Sequence, residues 1–135
     1  MFNIEKAKNT HVDFWLTLDK HISLDELKTK ISLKQCYIIR DENEPCGVLR
    51  YGLFWDNTPF MNMIYLREAY RNRGFGKAAV SFWENEMVLQ GYKTVMTSTQ
   101  ANEGAQHFYR KLGYRDAGCL LLENEPLEII FVKDI

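Results

Sequence analysis

The chain has 135 residues, of which 46% are hydrophobic and 26% are charged, as in an ordinary globular protein of one domain. The formal net charge is −1, so the chain lacks the excess of basic residues that non-specific nucleic-acid binding requires. No segment has the pattern of a secretory signal or a membrane span, and the three cysteines form no C-x-x-C pair. We therefore expect one domain over residues 1–135, cytoplasmic, with reduced thiols and no metal, membrane or nucleic-acid partner.

The first half of the chain predicts an edge strand, two helices and three strands. Met1–Lys8 alternates in the manner of a strand, and a helical stripe follows in residues 11–21. Ser23 and Glu26 form a capping box that predicts the start of a second helix. Strands are then predicted at Gln35–Arg40, Cys46–Trp55 and Phe60–Leu66. Short polar turns join these strands, so we expect consecutive ones to be antiparallel.

The second half predicts a helical crossover and a return to strands. A helical pattern runs from Gly74 to Gly91, and Lys93–Thr99 reads as the next strand, parallel to Phe60–Leu66. Asn102 is the predicted N-cap of a further helix that ends at Gly113. Two last strands are predicted at Ala117–Glu123 and Pro126–Lys133. The expected class is α/β (mixed α+β), with a mixed sheet and helices on both faces.

The segment between the Phe60–Leu66 strand and the following helix concentrates basic charge. From Arg67 to Lys77 it has four basic residues and one acidic residue, a local balance of +3. Gly74 and Gly76 stand at the helix start, where backbone N–H groups are unpaired and the helix dipole favours an anion. The pattern indicates an anion cradle, although glycine pairs also serve tight turns alone.

Two motifs in register resemble those of a known family. The residues from Leu66 to Ala78, LREAYRNRGFGKA, are similar to the acetyl-CoA-binding R/Q-x-x-G-x-G/A motif of the GNAT superfamily of N-acetyltransferases. The residues from Asn102 to Tyr114, NEGAQHFYRKLGY, resemble the family's N-x-x-A-x-x-(apolar)-Y-x-K-x-G-(aromatic) segment. The chain departs from the pattern in two places. Glu68 stands where the family often has proline, and Thr97 where the next strand often carries glutamate.

The resemblance implies a GNAT fold with acetyl-CoA as cosubstrate and a central pair of parallel strands that splay apart. The pantetheine arm would lie in that gap and pair with the backbone of Tyr65 and Leu66. Backbone N–H groups from Arg73 to Lys77 would hold the pyrophosphate. The cofactor-binding residues implied in this way are Tyr65, Leu66, Arg71, Asn72, Arg73, Gly74, Phe75, Gly76, Lys77, Asn102 and Tyr109.

Tyr109 holds the family's position for a general acid that protonates the departing thiolate. The alternative is a core aromatic on an amphipathic helix, and Asn102 could likewise act only as a cap. An alkyl-type amine is almost entirely protonated at neutral pH, so a base or a water relay is expected. His11, His21 and His107 titrate in the right range, but the sequence assigns the role to none of them.

Two rival functions remain to be weighed. Gly74–Ala79 fits the dinucleotide fingerprint G-x-G-x-x-A, but seven residues separate Leu66 from Gly74 and the next strand offers no acidic residue for a ribose. That context argues against a nicotinamide-dependent oxidoreductase. The second rival is a CoA-binding module without transferase activity, which an intact cradle together with Tyr109 disfavours.

The acceptor is expected to be a primary amine of a small molecule or peptide that attacks acetyl-CoA directly in a ternary complex. Trp15, Trp55 and Asp56 in the variable front half suit a cationic acceptor. Asp13 and Glu68 add acidic groups near the expected rim, so we predict a small cationic amine. The sequence is also compatible with a homodimer.

Overall fold

The computed structural model describes all 135 residues as seven strands, four α-helices and two short 3-10 turns. The strands are β1 (Phe2–Lys6), β2 (Cys36–Asp41), β3 (Glu44–Phe54), β4 (Thr58–Leu66), β5 (Thr94–Gln100), β6 (Arg115–Leu120) and β7 (Glu128–Asp134). The helices are α1 (Val12–Leu18), α2 (Leu24–Ser32), α3 (Phe75–Leu89) and α4 (Ala105–Lys111), and the 3-10 turns are Asn9–His11 and Glu68–Tyr70. No helix is long and apolar enough to cross a membrane.

The strands form one mixed sheet in the order β1-β2-β3-β4-β5-β7-β6. β4 and β5 run parallel, with Phe60 opposite Met96 and Met61 opposite Thr97. The pairs β1–β2, β2–β3, β5–β7 and β6–β7 are antiparallel. The predicted mixed α+β class, the parallel central pair and the edge position of the first strand are therefore confirmed.

The chain divides into two compact units. The first consists of Met1–Gly52 and Asn62–Trp83, and the second of Leu53–Met61 and Glu84–Ile135. Each has its own buried side chains. The expectation of one domain over residues 1–135 stays a prediction.

In the first unit, one face of β2 and β3 packs against α1 and α2. Cys36, Ile38 and Val48 from the strands join Trp15 of α1 and Leu27 of α2 in one apolar cluster. Side chains two residues apart on a strand share a face, which is why Cys36 and Ile38 point the same way. This cluster fixes α1 and α2 to the strands.

The opposite face of the same strands packs against α3. The ring of Tyr37 lies 6.0 Å from that of Phe82, and the ring of Tyr51 lies 5.8 Å from that of Trp83. Helices therefore cover both faces of β2 and β3, in agreement with the predicted helices on both faces of the sheet.

In the second unit, the carboxylate of Glu84 joins α3 to Tyr114, between α4 and β6, and to Lys133 of β7. The Tyr114 hydroxyl donates to Glu84 Oε2 at 2.8 Å, and Lys133 Nζ donates to Glu84 Oε1 at 3.0 Å. Burial and the neighbouring Glu84 carboxylate raise the pKa of Tyr114 far above its ordinary value. A buried carboxylate is tolerated only with such partners. These contacts fix Tyr114, three residues after the end of α4.

The predicted helix caps have two outcomes. Ser23 caps α2, because its side chain accepts a hydrogen bond from the Glu26 N–H at 3.2 Å. The prediction that Asn102 caps the later helix is wrong, because α4 begins at Ala105 with Gly104 in the capping position. No side chain caps α4, and the Gln106 side chain instead donates to the carbonyls of Ala101 and Glu103 in the preceding turn.

A core substitution tests the packing of α2. Leu27 is 0% exposed, so Leu27→Ala is expected to lower the free energy of unfolding by about 2–5 kcal/mol through lost burial and a residual cavity. Leu33 is 60% exposed, and Leu33→Ala should change stability by less than about 0.5 kcal/mol. Urea unfolding measures both, and equal losses would contradict the packing described.

Candidate active site

The loop between β4 and α3 presents a run of backbone N–H groups without acceptors. The N–H groups of the six residues from Asn72 to Lys77 donate to no acceptor within the protein. The first backbone bond at this end of α3 runs from Ala78 N to Gly74 O at 3.0 Å. Unpaired donors at a helix start attract anions, and the helix dipole adds to the effect.

Two left-handed residues give the loop its shape. Asn72 has φ 59° and Gly74 has φ 83°, a backbone region that glycine and asparagine adopt at the lowest cost. Alternation of left- and right-handed residues turns successive N–H groups inwards and forms an anion-binding nest. A Cβ added at Gly74 would meet no atom within 4 Å, so the space beside this backbone is open to a ligand.

The basic side chains of the loop are held by specific contacts. Arg71 Nε donates to the Leu66 carbonyl at 3.1 Å, and its guanidinium lies 5.0 Å from the centre of the Tyr65 ring. Arg73 donates to Asp41 Oδ2 at 3.4 Å. Arg71 therefore ties the cradle to the end of β4.

Two aromatic rings contact the guanidinium of Arg73. The Arg73 guanidinium lies 5.2 Å from the ring centres of both Tyr70 and Phe75, a cation–π arrangement. Lys77 is exposed. A hydrogen bond from the N-terminal ammonium and the charge of Arg73 keep the pKa of Asp41 below its ordinary value. The loop therefore keeps a positive surface even though Arg73 has a carboxylate partner.

Tyr109, the predicted general acid, belongs to the second unit. It is 6% exposed, and its ring lies 5.8 Å from that of Tyr114 and 5.9 Å from that of Phe131. Burial raises the pKa of Tyr109 to about 12, although contact with the Thr97 hydroxyl partly offsets the shift. At neutral pH the phenol is therefore protonated, the state that a proton donor needs. Asn102, also in this unit, is exposed in the turn before α4.

The three histidines differ in their surroundings. Burial lowers the pKa of His11, and its ring lies beside Glu5 and the Arg40 guanidinium. His21 and His107 are exposed. The Lys8 N–H donates to His11 Nδ1 at 2.9 Å, and His11 Nε2 lies 3.2 Å from Arg40, so both ring nitrogens are engaged within the protein. The role of base stays unassigned.

The sequence matches the model of the acetyltransferase (GNAT) family over residues 4–114. The chain belongs to this family. The match runs through both compact units and includes the cradle, Thr97, Asn102 and Tyr109. The protein is accordingly a GNAT-family, acetyl-CoA-dependent acetyltransferase. Among curated proteins, none matches the sequence.

Solved structures of GNAT proteins share its fold. A GNAT acetyltransferase from Bacillus cereus superposes with a TM-score of 0.82 at 24% identity, covering 99% of this chain and 97% of that chain. A GNAT acetyltransferase from Elizabethkingia anophelis with acetyl-CoA bound gives 0.78 at 18%, covering 99% and 98%. The PaiA N-acetyltransferase from Thermoplasma acidophilum in complex with coenzyme A gives 0.82 at 13%, covering 100% and 99%.

The front-half residues singled out for the acceptor lie in different surroundings. Trp15 is fully buried and donates to Asp19 from its indole nitrogen, so it belongs to the core. Trp55 is 79% exposed in the turn that also contains the exposed Asp56. Asp13 lines a groove of about 640 Å³ between α1 and α2, and Glu68 is exposed in its 3-10 turn.

Sequence reasoning missed a polar cluster beneath α1 and α2. Arg50 Nε donates to Asp19 Oδ2 at 2.7 Å, and Lys30 Nζ donates to the Tyr51 carbonyl at 2.8 Å. Burial opposes the charge of Asp19, but hydrogen bonds from Arg50, Trp15 and the His21 N–H outweigh it and lower its pKa. A signal was available, because Arg50 is the one charged residue in the otherwise apolar CGVLRYGLFW.

A charge placed at the cradle should block the cofactor. Saturating CoA is expected to raise the melting temperature of the wild type by linkage. Gly76→Asp should abolish that rise without unfolding the protein, because a carboxylate in the first turn suits the helix dipole but repels a pyrophosphate. Thermal unfolding with and without CoA measures both effects.

Ser81→Asp provides the matched control. It adds the same charge to an exposed position of α3, about 7.5 Å further along the helix. This variant should keep the CoA-dependent rise. A rise that survives in Gly76→Asp, or calorimetry that detects no CoA binding to the wild type at millimolar ligand, would contradict the assignment of the cradle.

Proposed function

We propose that the protein transfers an acetyl group from acetyl-CoA to a primary amine of a small molecule or peptide, by direct attack in a ternary complex. The observation that carries the proposal is the run of unpaired N–H groups from Asn72 to Lys77, in a chain that belongs to an acetyltransferase family. Backbone N–H groups without acceptors at the start of a helix are suited to bind a pyrophosphate.

In this proposal, different residues bind the pyrophosphate, supply positive charge and pair with the pantetheine arm. Backbone N–H groups from Arg73 to Lys77 receive the pyrophosphate, and the side chains of Arg71 and Lys77 supply positive charge. Backbone groups of Tyr65 and Leu66 pair with the amides of the pantetheine arm. The assignment of Asn102 to the same arm is independent of its failed role as a helix cap.

The reaction makes one bond and breaks another. The neutral amine nitrogen attacks the thioester carbon, the new C–N bond forms, and the C–S bond breaks. Tyr109 gives its hydroxyl proton to the departing thiolate, and the proton lost by the amine returns to the phenolate through water. A pKa of about 12 keeps Tyr109 protonated until the thiolate develops.

The cysteines favour direct attack over an acyl-cysteine intermediate. Cys36 is fully buried, and burial raises its pKa to about 12. Burial also raises the pKa of Cys46. A nucleophilic cysteine needs the opposite, an accessible site that stabilises the thiolate. The third cysteine, Cys119, is exposed on the edge strand β6, so burial disfavours only Cys36 and Cys46 as nucleophiles.

A second function is a CoA-binding module without transferase activity. The observation that favours it is the position of Tyr109 among aromatic rings at 6% exposure, which a purely structural tyrosine would share. A transfer assay separates the two, because the module binds CoA but acetylates no amine.

The proposal includes the expected cellular setting. The three cysteines are free, which accords with a reducing cytoplasm. The reaction needs no metal, membrane or nucleic acid, and residues 1–135 act as one acetyltransferase domain, alone or as a homodimer.

Initial-rate kinetics tests the reaction. Velocities measured against acetyl-CoA and an amine, drawn from a panel of alkylamines, amino acids and peptides, should give intersecting double-reciprocal lines that EDTA leaves unchanged. Parallel lines would indicate an acyl-enzyme and contradict direct attack. Acetyl-CoA binding without acetylation of any amine would favour the binding module.

Removal of one hydroxyl tests Tyr109. Tyr109→Phe is expected to lower kcat by about 10²–10⁴-fold and to leave acetyl-CoA affinity nearly unchanged, because the lost interaction belongs to the transition state. Steady-state rates and calorimetry measure the two effects. Tyr92→Phe, which removes a hydroxyl elsewhere in the second unit, should leave both unchanged.

The Tyr109→Phe test requires that acetyl transfer itself limits the measured rate. Single-turnover rates establish this for the wild type and for Tyr109→Phe. An unchanged single-turnover rate in Tyr109→Phe would return Tyr109 to the role of a core aromatic.

A further inference from the structure

A buried arginine in the first unit keeps part of its hydrogen-bonding capacity unused. The side chain of Arg50 is 10% exposed, and its Nε is the one nitrogen that donates to Asp19. Its two terminal amino groups have no acceptor within the protein. Neither of these nitrogens is fully buried, so both reach the surface. An arginine fixed through Nε presents its other donors outwards in a rigid plane.

Lys30 and Asn62 lie beside Arg50 on the same face of the sheet. Arg50 and Gly52 are two residues apart on β3 and share a face, about 6–7 Å apart along the strand. A Cβ at Gly52 would lie 3.1 Å from Lys30 Nζ and 3.3 Å from Asn62 Oδ1. Glycine at this position therefore leaves room for the lysine and asparagine head groups to meet.

The polar groups of Arg50, Lys30 and Asn62 that have no partner within the protein are hydrogen-bond donors. Lys30 Nζ gives one proton to the Tyr51 carbonyl and approaches Asn62 Oδ1 at 3.5 Å, which leaves a further N–H. The Asn62 side chain is exposed, and its amide nitrogen has no partner. The terminal amino groups of Arg50 add to these. Donors without acceptors, on two cations, suit an anion with several oxygens.

We propose that Arg50, Lys30 and Asn62 bind a carboxylate of the acyl acceptor, so that the preferred acceptor is an amine that also carries a carboxylate. A guanidinium plane matches the two oxygens of a carboxylate, and the lysine ammonium and asparagine amide add further donors. The Asp19 carboxylate accepts from Arg50 Nε, Trp15 Nε1 and His21 N, and so orients the arginine.

The charge balance supports the same conclusion. Burial lowers the pKa of Lys30, and the nearby positive charge of Arg50 lowers it further. Asp19 is the one buried carboxylate at this place, and its three hydrogen bonds commit it to the protein. A bound carboxylate would relieve the repulsion between the two cations.

The position along β4 connects this subsite to the reaction, and this step rests on the proposed function. Asn62 and Leu66 lie on one strand, about 13 Å apart. In the proposal the pantetheine arm pairs with β4 near Leu66 and extends along it from the cradle. A carboxylate at Asn62 would then place an amine on the same molecule near the thioester. An acceptor of this kind is a zwitterion, so the expectation of a purely cationic amine is modified.

The test compares acceptors that differ in the carboxylate alone. ω-Amino carboxylates of increasing length are paired with unbranched alkylamines of equal length, with acetyl-CoA saturating and rates corrected for the neutral amine fraction. The wild type should prefer the best amino carboxylate over its amine by about tenfold or more in kcat/KM, as charge-assisted hydrogen bonds imply. Equal values across the series would overturn the proposal.

Two variants on the surface of the cluster test which residues are responsible. Lys30→Met keeps the aliphatic stem and removes the charge, and Asn62→Asp places a carboxylate beside Lys30. Both should reduce the preference about tenfold, and Asn62→Asp should turn it towards the plain amine, with the KM for acetyl-CoA unchanged. Lys28→Met removes the same charge from α2 two residues away and should leave the preference unchanged. An unchanged ratio in both variants, or an equal loss in Lys28→Met, would contradict the assignment.

Calorimetry with pentanoate separates this proposal from the proposed function. Pentanoate should bind the wild type and bind Lys30→Met and Asn62→Asp about tenfold more weakly. If no amine is acetylated but pentanoate binding follows this pattern, the anion subsite stands and the transferase proposal fails. If amines are acetylated and pentanoate binds all three proteins equally or not at all, the subsite is wrong and the transferase proposal stands.

Discussion

One constraint governs the proposed cofactor site: the backbone between β4 and α3 leaves six successive N–H groups without partners within the protein. A helix start collects several N–H groups that have no acceptor within the helix, and such donors attract an anion. Left-handed conformations at Asn72 and Gly74 maintain this arrangement. The arginines around the loop are tied to β4, to aromatic rings and to Asp41, and so hold positive charge beside these donors.

Much of the fold followed from the sequence because local signals agree with one another. Strand-like segments between polar turns predict β2 and β3, the capping box at Ser23 predicts α2, and the crossover predicts that β4 and β5 run parallel. The wrong N-cap at Asn102 shows the limit of such signals. Asn102 has the right chemistry, but the turn places Gly104 at the cap, and no side chain accepts a hydrogen bond there.

The polar cluster could not have been derived in the same way. Arg50 in an apolar strand signals an unusual position, but its partner Asp19 is 31 residues away and no local rule pairs them. Only the packing of α1 against β3 shows that Asp19 engages Nε and leaves the other donors of Arg50 unused. The same applies to Lys30 and Asn62, which share a site because Gly52 has no side chain. The proposed acceptor subsite depends on such long-range contacts, whereas the cradle is a continuous stretch of chain.

The most direct measurement is a titration of the isotopically labelled protein with CoA, followed by backbone amide NMR. The account predicts that the amide resonances from Arg73 to Lys77 shift most strongly and move downfield in the proton dimension, because each N–H gains a phosphate acceptor. Gly76→Asp should remove these shifts while the resonances of the α1 and α2 layer stay in place. Saturating shifts confined to other parts of the chain, with the Arg73–Lys77 amides unmoved, would contradict the central claim.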